Sequence, residues 1–143
     1  MKTTNRLIPA LLALATLPAC AIRVGVMSLQ NYPSNTCEVV GPDTIKVKVK
    51  KVQGIDVEET RGVAWAVSNE CAMAGSRKVE VFDFKQNGSA ASPLDCPSYG
   101  VDLSAGQIGV IACKVKPGAV GTYKYSIKVD GVLKQDPDVI IKR

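Results

Sequence analysis

The chain contains no histidine. That absence removes the most common general base near neutral pH, the partner in Ser-His and Cys-His nucleophile pairs, and the imidazole ligands of zinc sites. There is also no nucleophile elbow and no glycine-rich phosphate loop. The adjacent Glu58 and Glu59 would point to opposite faces of a strand, which does not suit paired acid–base work. Catalysis is therefore not expected. A dense basic patch is missing as well: the formal net charge is +5, and removing Lys2 and Arg6 with an N-terminal signal lowers it to +3. So mild a surplus argues against dedicated nucleic-acid binding. No helix-length amphipathic segment follows the N-terminal region, and neither an internal repeat nor a low-complexity tract is present.

What is present begins with an export signal. Lys2 and Arg6 precede the apolar run Leu7 to Leu17, and Pro18-Ala19-Cys20-Ala21 follows. Pro9 and Pro18 interrupt the run, which falls short of the ~20 residues a membrane span requires. Two cuts are open. Leu17-Pro18-Ala19-Cys20 resembles the lipobox of bacterial lipoproteins, in which Cys20 becomes the lipid-modified first residue, although Pro18 is not favoured at its position. The alternative is an ordinary A-x-A cut after Ala21, releasing a soluble chain from Ile22. Lipidation at Cys20 is the favoured reading. By resemblance to lipoprotein sorting, Ala21 after that cysteine points to the outer membrane, with the domain exported and periplasmic. Either cut leaves Cys37, Cys71, Cys96 and Cys113, an even set suited to two disulfides in an oxidising compartment.

Residues 20–42 read as lipid attachment and tether, because Ile22 to Pro42 mix Gly, Asn, Pro and Ser without a sustained period. Residues 43–143 then show short strand patterns separated by turn signals. Ile45, Val47 and Val49 alternate with Lys46, Lys48 and Lys50. These lysines suit either an acidic-surface contact or a solvated face that discourages edge pairing, and the solvated face is favoured. Ile55-Asp56-Val57-Glu58 is a short strand candidate. Val63 to Asn69 carries Trp65, whose large apolar area suits a core anchor between two layers. Lys78 to Phe84 and Gln107 to Lys116 are further strands, and a polar connection from Lys85 to Tyr99 contains the turn Asn87-Gly88. Asn87-Gly88-Ser89 fits a glycosylation acceptor, but behind a bacterial-type signal it reads as turn chemistry. Gly121 to Val129 alternates Tyr, Tyr, Ile and Val with polar residues, ends at Asp130-Gly131, and is followed by the apolar run Val139-Ile140-Ile141. Asp136-Pro137-Asp138 gathers too few oxygens for calcium and reads as a turn. The pattern predicts an all-β, antiparallel Greek-key β-sandwich.

Two stretches resemble a known family. Val67-Ser68-Asn69, a loop and Val79-Glu80-Val81-Phe82-Asp83 resemble the cupredoxin pattern of a strand ending in Asn before the strand that opens with a copper-binding histidine. Pro117-Gly118 and Gly121-Thr122-Tyr123 resemble the Pro-Gly-Thr-Tyr strand that ends in the ligand cysteine. The resemblance spans roughly residues 44 to 142 as a single sandwich, and an immunoglobulin-like sandwich is the rival. It puts Lys78 at or next to the first histidine position, Ile127 at the cysteine position and Asp130 near the second histidine. Such a set cannot make blue copper, which needs two imidazoles and a thiolate, so no metal and no cofactor are expected there. The resemblance also implies the pairs Cys71–Cys96 and Cys37–Cys113, out of three pairings that four cysteines allow.

Together these observations imply a non-catalytic cell-envelope lipoprotein that acts as a binding or assembly module. Its partners would be the membrane, through a lipid anchor, and an envelope protein or polymer. The alternative is a copper-handling or redox protein using the soft sulfurs of Cys71 and Met73.

Overall fold

The computed structural model describes residues 21–31, 36–49, 61–71 and 75–143. Its strands are β1 (Ala21–Asn31), β2 (Cys37–Val40), β3 (Ile45–Lys48), β4 (Arg61–Asn69), β5 (Arg77–Gln86), β6 (Ser89–Ala90), β7 (Leu94–Asp95), β8 (Gly100–Leu103), β9 (Ile108–Val115), β10 (Gly121–Val129), β11 (Val132–Gln135) and β12 (Asp138–Lys142). One sheet has the order β2-β1-β4-β9-β7 and the other β3-β12-β10-β5-β6, with β11 added to β10 and β8 to β5. The expected all-β sandwich is present, but its sheets are mixed. β1 runs parallel to β4, and β3 parallel to β12.

The inward-facing residues explain why these segments become strands. Met27, Leu29, Val63, Trp65, Val67 and Ile111 from the first sheet meet Val79, Val81, Tyr125, Ile127, Val139 and Ile141 from the second, all buried. Burying each such aliphatic side chain contributes ~1.5–3 kcal/mol. Trp65 lies at the centre as expected. Its ring meets Tyr125 edge-on at 5.4 Å, Tyr125 stacks on Phe84 at 5.4 Å, and the indole Nε1–H donates to the Tyr125 hydroxyl at 2.9 Å. The hydrogen bond satisfies a donor that burial would otherwise leave costly.

The expected tether is corrected. Residues Ala21–Asn31 form β1, and β2 returns along its C-terminal end, with Ser28 opposite Val40 and Asn31 opposite Cys37. The sandwich therefore takes in residues assigned to a tether before residue 43. The period was hidden because the apolar set changes faces along β1. Ile22, Val24 and Val26 are exposed, while Met27 and Leu29 point into the core.

Two turns follow their sequence signals. Asn87-Gly88 and Asp130-Gly131 adopt φ values of 51°, 79°, 50° and 79°, the left-handed pair that a tight two-residue hairpin turn demands. The second of these turns leads into β11, so the immediate return strand is Val132–Gln135. Pro137 breaks the path before β12 rejoins β10 further along, with Tyr123 opposite Val139. The candidate strand Ile55–Glu58 lies outside the described residues.

Candidate functional site

The positions that the cupredoxin resemblance matches to copper ligands do converge. β5 and β10 are neighbours, with Val79 opposite Val129, so Lys78 and Asp130 meet at one pole of the sandwich. The Lys78 N–H donates to Asp130 Oδ1 at 2.9 Å, and the Asp130 N–H donates to the Lys78 carbonyl at 2.8 Å. Burial pushes the Asp130 carboxyl up, but the Lys78 N–H and the Arg77 guanidinium, 2.9 Å away, outweigh it and hold the group below its usual range. The carboxylate is thus engaged in closing a turn. Ile127 is fully buried in the core. At the same pole, buried Asn69 ends β4 and locks two loops, donating from Nδ2 to the Leu103 carbonyl at 2.9 Å and accepting from the Cys71 N–H at 3.1 Å. Among the described residues, no three His, Cys, Asp or Glu side chains come together.

The disulfide pairing differs from the expected one. Cys37 is joined to Cys71, and Cys96 to Cys113. The pairs Cys71–Cys96 and Cys37–Cys113 that the cupredoxin resemblance implies take no account of β1 and β2. In the folded chain β1 rises beside β4 to the Asn69 pole, and β2, antiparallel to β1 with Cys37 opposite Asn31, places Cys37 beside Cys71 there. Cys96 sits beside β7, which pairs with the C-terminal end of β9, and so reaches Cys113 at the opposite pole. With its sulfur bonded to Cys37, Cys71 presents no thiolate to a metal. Met73 lies outside the described residues.

A surface that the sequence reading did not find is the outer face of the first sheet. Register places its side chains in rows: Ile22, Gly62 and Lys114; Val24, Ala64 and Ala112; Val26, Ala66 and Val110; and Val40, Ser28, Ser68 and Ile108. Small residues run down β4 and branched aliphatics flank them, so the face is an apolar trough. Ile22, Val24, Val26, Ile108 and Val110 are between 54% and 75% exposed. At its lower end the trough opens into a cavity of about 400 Å³ that includes Ile22, Gly62, Pro97 and Ala112. The outer face of the second sheet is mostly polar, carrying Lys46, Lys48, Thr122, Lys124, Lys128 and Lys142, with Lys128 Nζ 3.9 Å from the centre of the Phe82 ring; its exposed large aliphatics, Val132 and Leu133, are confined to the short β11. Antiparallel sheets commonly keep one solvated polar face, so the exposed apolar face of the first sheet is the less ordinary of the two.

Lys46 and Lys48 are exposed on the edge strand β3, as the alternation predicted; Lys50 lies outside the described residues. The fold adds cations that sequence distance concealed. Arg23, Lys142 and Arg143 join Lys46 and Lys48 around a cleft of about 300 Å³. Cys20, the expected lipid carrier, and the signal before it also lie outside the described residues.

Neither a family model nor a curated protein sequence matches the chain. Among solved structures it is similar to a multicopper oxidase, at 13% identity and a TM-score of 0.45, over 88% of this chain and 45% of the other. It is also similar to a multicopper oxidase from Campylobacter jejuni described as a metallo-oxidase, at 10% identity and a TM-score of 0.36, over 86% of this chain and 30% of the other. The chain thus spans less than half the length of these two oxidases.

Proposed function

We propose that the chain is a non-catalytic cell-envelope lipoprotein, a cupredoxin-like sandwich without a blue-copper site that serves as a binding or assembly module. Lipid on Cys20 holds it at the outer membrane on the periplasmic route, and the outer face of β1, β4 and β9 docks an envelope partner. The observation that carries this reading is the apolar trough, whose five large aliphatic side chains are more than half exposed while the opposite sheet face is covered with lysines. Apolar area of that kind is stabilised when a partner removes it from water, at roughly 25 cal/mol per Å². The copper-handling alternative loses its thiolate to the Cys37–Cys71 disulfide.

The test compares the native chain with a Val26→Asp/Ile108→Asp variant in cross-linked cell envelopes. A discrete adduct that forms with the native chain and is lost with the variant supports the docking face; an adduct unchanged in the variant refutes it. Metabolic labelling with a fatty acid tests the anchor separately. Label retained after Cys20→Ala would contradict lipidation at that residue.

A further inference from the structure

Charge and chain direction meet at one pole of the sandwich. β1 begins there: Ala21 is opposite Arg61, and Ile22 is opposite Gly62 in the row that ends at Lys114. β3 and β12 run parallel and both end there, with Lys48 opposite Lys142. The cleft between β1 and these two strands is lined by Arg23, Lys46, Val47, Lys48, Lys142 and Arg143, with no carboxylate side chain among them. None of Arg23, Lys46, Lys48 or Lys142 has an ion-pair partner among the described residues. Four cations elsewhere are paired, Arg77 with Asp130, Lys85 with Asp83, Lys124 with Asp138 and Lys134 with Glu38, and the cations without an ion pair outside the cleft, such as Lys78, Lys116 and Lys128, are scattered over other strands and turns.

We propose that this basic pole is a membrane-contact surface that binds the anionic headgroups of a phospholipid leaflet. Three observations favour a bilayer over a soluble acidic polymer. Ala21, the residue after Cys20, already belongs to β1, so an acyl group on Cys20 would bring this end of the sandwich to the membrane. The cations gather in one cleft at the end of the molecule where β3 and β12 terminate. Exposed Ile22 and the apolar cavity beside Pro97 and Ala112 stand at the same end, giving the interface an apolar component as well. A single lipid chain anchors weakly and reversibly, and a cluster of basic residues is the usual second signal. Each cation near an anionic surface strengthens binding by roughly fivefold. Contact at this pole would hold the sandwich upright, directing the Asn69 pole away from the membrane and leaving the trough open at its side.

The anchor reading supports only the choice of occupant, and the test is independent of it. The chain from Ala21 onward contains both disulfides and the whole core, so it can be exported behind a cleavable signal without acylation. Its sedimentation with vesicles of phosphatidylcholine containing one part in three of phosphatidylglycerol is compared with that on pure phosphatidylcholine. The expected result is binding at least tenfold tighter to the anionic vesicles, weakening as salt rises. A Lys46→Glu/Lys48→Glu variant should lose at least tenfold, while Lys78→Glu/Lys128→Glu, distant from that pole, should lose less than threefold. Equal binding to both vesicles, no binding to either, or equal losses in the two variants would overturn the proposal. Binding to polyphosphate at the same salt with none to the anionic vesicles would overturn it in favour of an acidic polymer. Fatty-acid labelling of the full chain reports on Cys20 alone, so failure of the anchor and failure of the basic pole give different results.

Discussion

Replacing Tyr125 with Phe removes a single oxygen from the centre of the core. That oxygen accepts the Trp65 indole N–H at 2.9 Å, and both rings are fully buried. The variant leaves a buried donor unpaired, which costs about 1–3 kcal/mol. For a domain of this size the melting midpoint should fall by roughly 4 °C per kcal/mol. Because Trp65 is the sole tryptophan, its fluorescence follows urea unfolding directly. A Trp65→Phe/Tyr125→Phe double variant, followed like the Trp65→Phe single by circular dichroism because both lack the tryptophan, removes donor and acceptor together and should cost about 1 kcal/mol less than the sum of the single changes. The pH dependence supplies an independent check. Burial pushes the Tyr125 hydroxyl up to about 12, the Trp65 hydrogen bond opposing and the Asp138 charge adding to the shift. The unfolded chain releases this proton near pH ~10, so the stability linked to it is complete below that pH and is lost as pH rises through the folded value. Two units correspond to about 3 kcal/mol. The native protein should therefore exceed Tyr125→Phe in stability at neutral pH, with the two curves converging between pH ~10 and ~12. A variant within 0.5 kcal/mol of native at neutral pH, a difference of surface-mutation size, or curves that stay parallel through the alkaline range, would refute the reasoning.

The disulfides close loops with sequence separations of 34 and 17 residues. Chain entropy then predicts losses of about 4 kcal/mol for Cys37→Ser/Cys71→Ser and about 3 kcal/mol for Cys96→Ser/Cys113→Ser. Unfolding midpoints in the opposite order would contradict this, and non-reducing peptide mapping should recover Cys37 joined to Cys71. Asp130→Asn preserves the turn but removes the charge facing Arg77, and because the carboxylate is well exposed it should cost less than about 1 kcal/mol. The native carboxyl is held below its usual range, so its contribution is present above pH ~4 and lost as pH falls through the folded value. The gap between the native chain and Asp130→Asn, measured by urea titration, should close on acidification. Val26→Asp and Ile108→Asp alter exposed positions and should each leave the urea midpoint within about 0.5 kcal/mol of native.

The strands most legible in the sequence have one wet and one dry face. β3 and β10 alternate lysine or serine with branched and aromatic residues, and the structure follows that alternation closely. β1 escaped notice because Ile22, Val24 and Val26 are apolar on the outside, so a period of two disappears when both faces are dry. β9 is also apolar on both faces, with Ile108 and Val110 outside and Ile111 and Cys113 inside, yet its run between Gly106 and Pro117-Gly118 is bounded by turn signals and reads as a strand. The double-faced apolar pattern that hides β1 is thus the pattern that forms the proposed docking face. The disulfide pairing failed for a connected reason, since the position of Cys37 depends on recognising β1 and β2. The basic pole was half legible: Lys46 and Lys48 stood out as an alternating run, whereas Arg23 and Lys142 are brought to them only by parallel pairing between distant segments.

The most direct test of the account places a photo-cross-linking residue at Val26 or Ile108 on the first sheet, and at Phe82 or Lys124 on the second, in the full chain within living cells. The account predicts a discrete partner adduct from both first-sheet positions and none from the second sheet. Adducts confined to the second sheet, equal adducts from both faces, or no adduct from Val26 and Ile108 would contradict it.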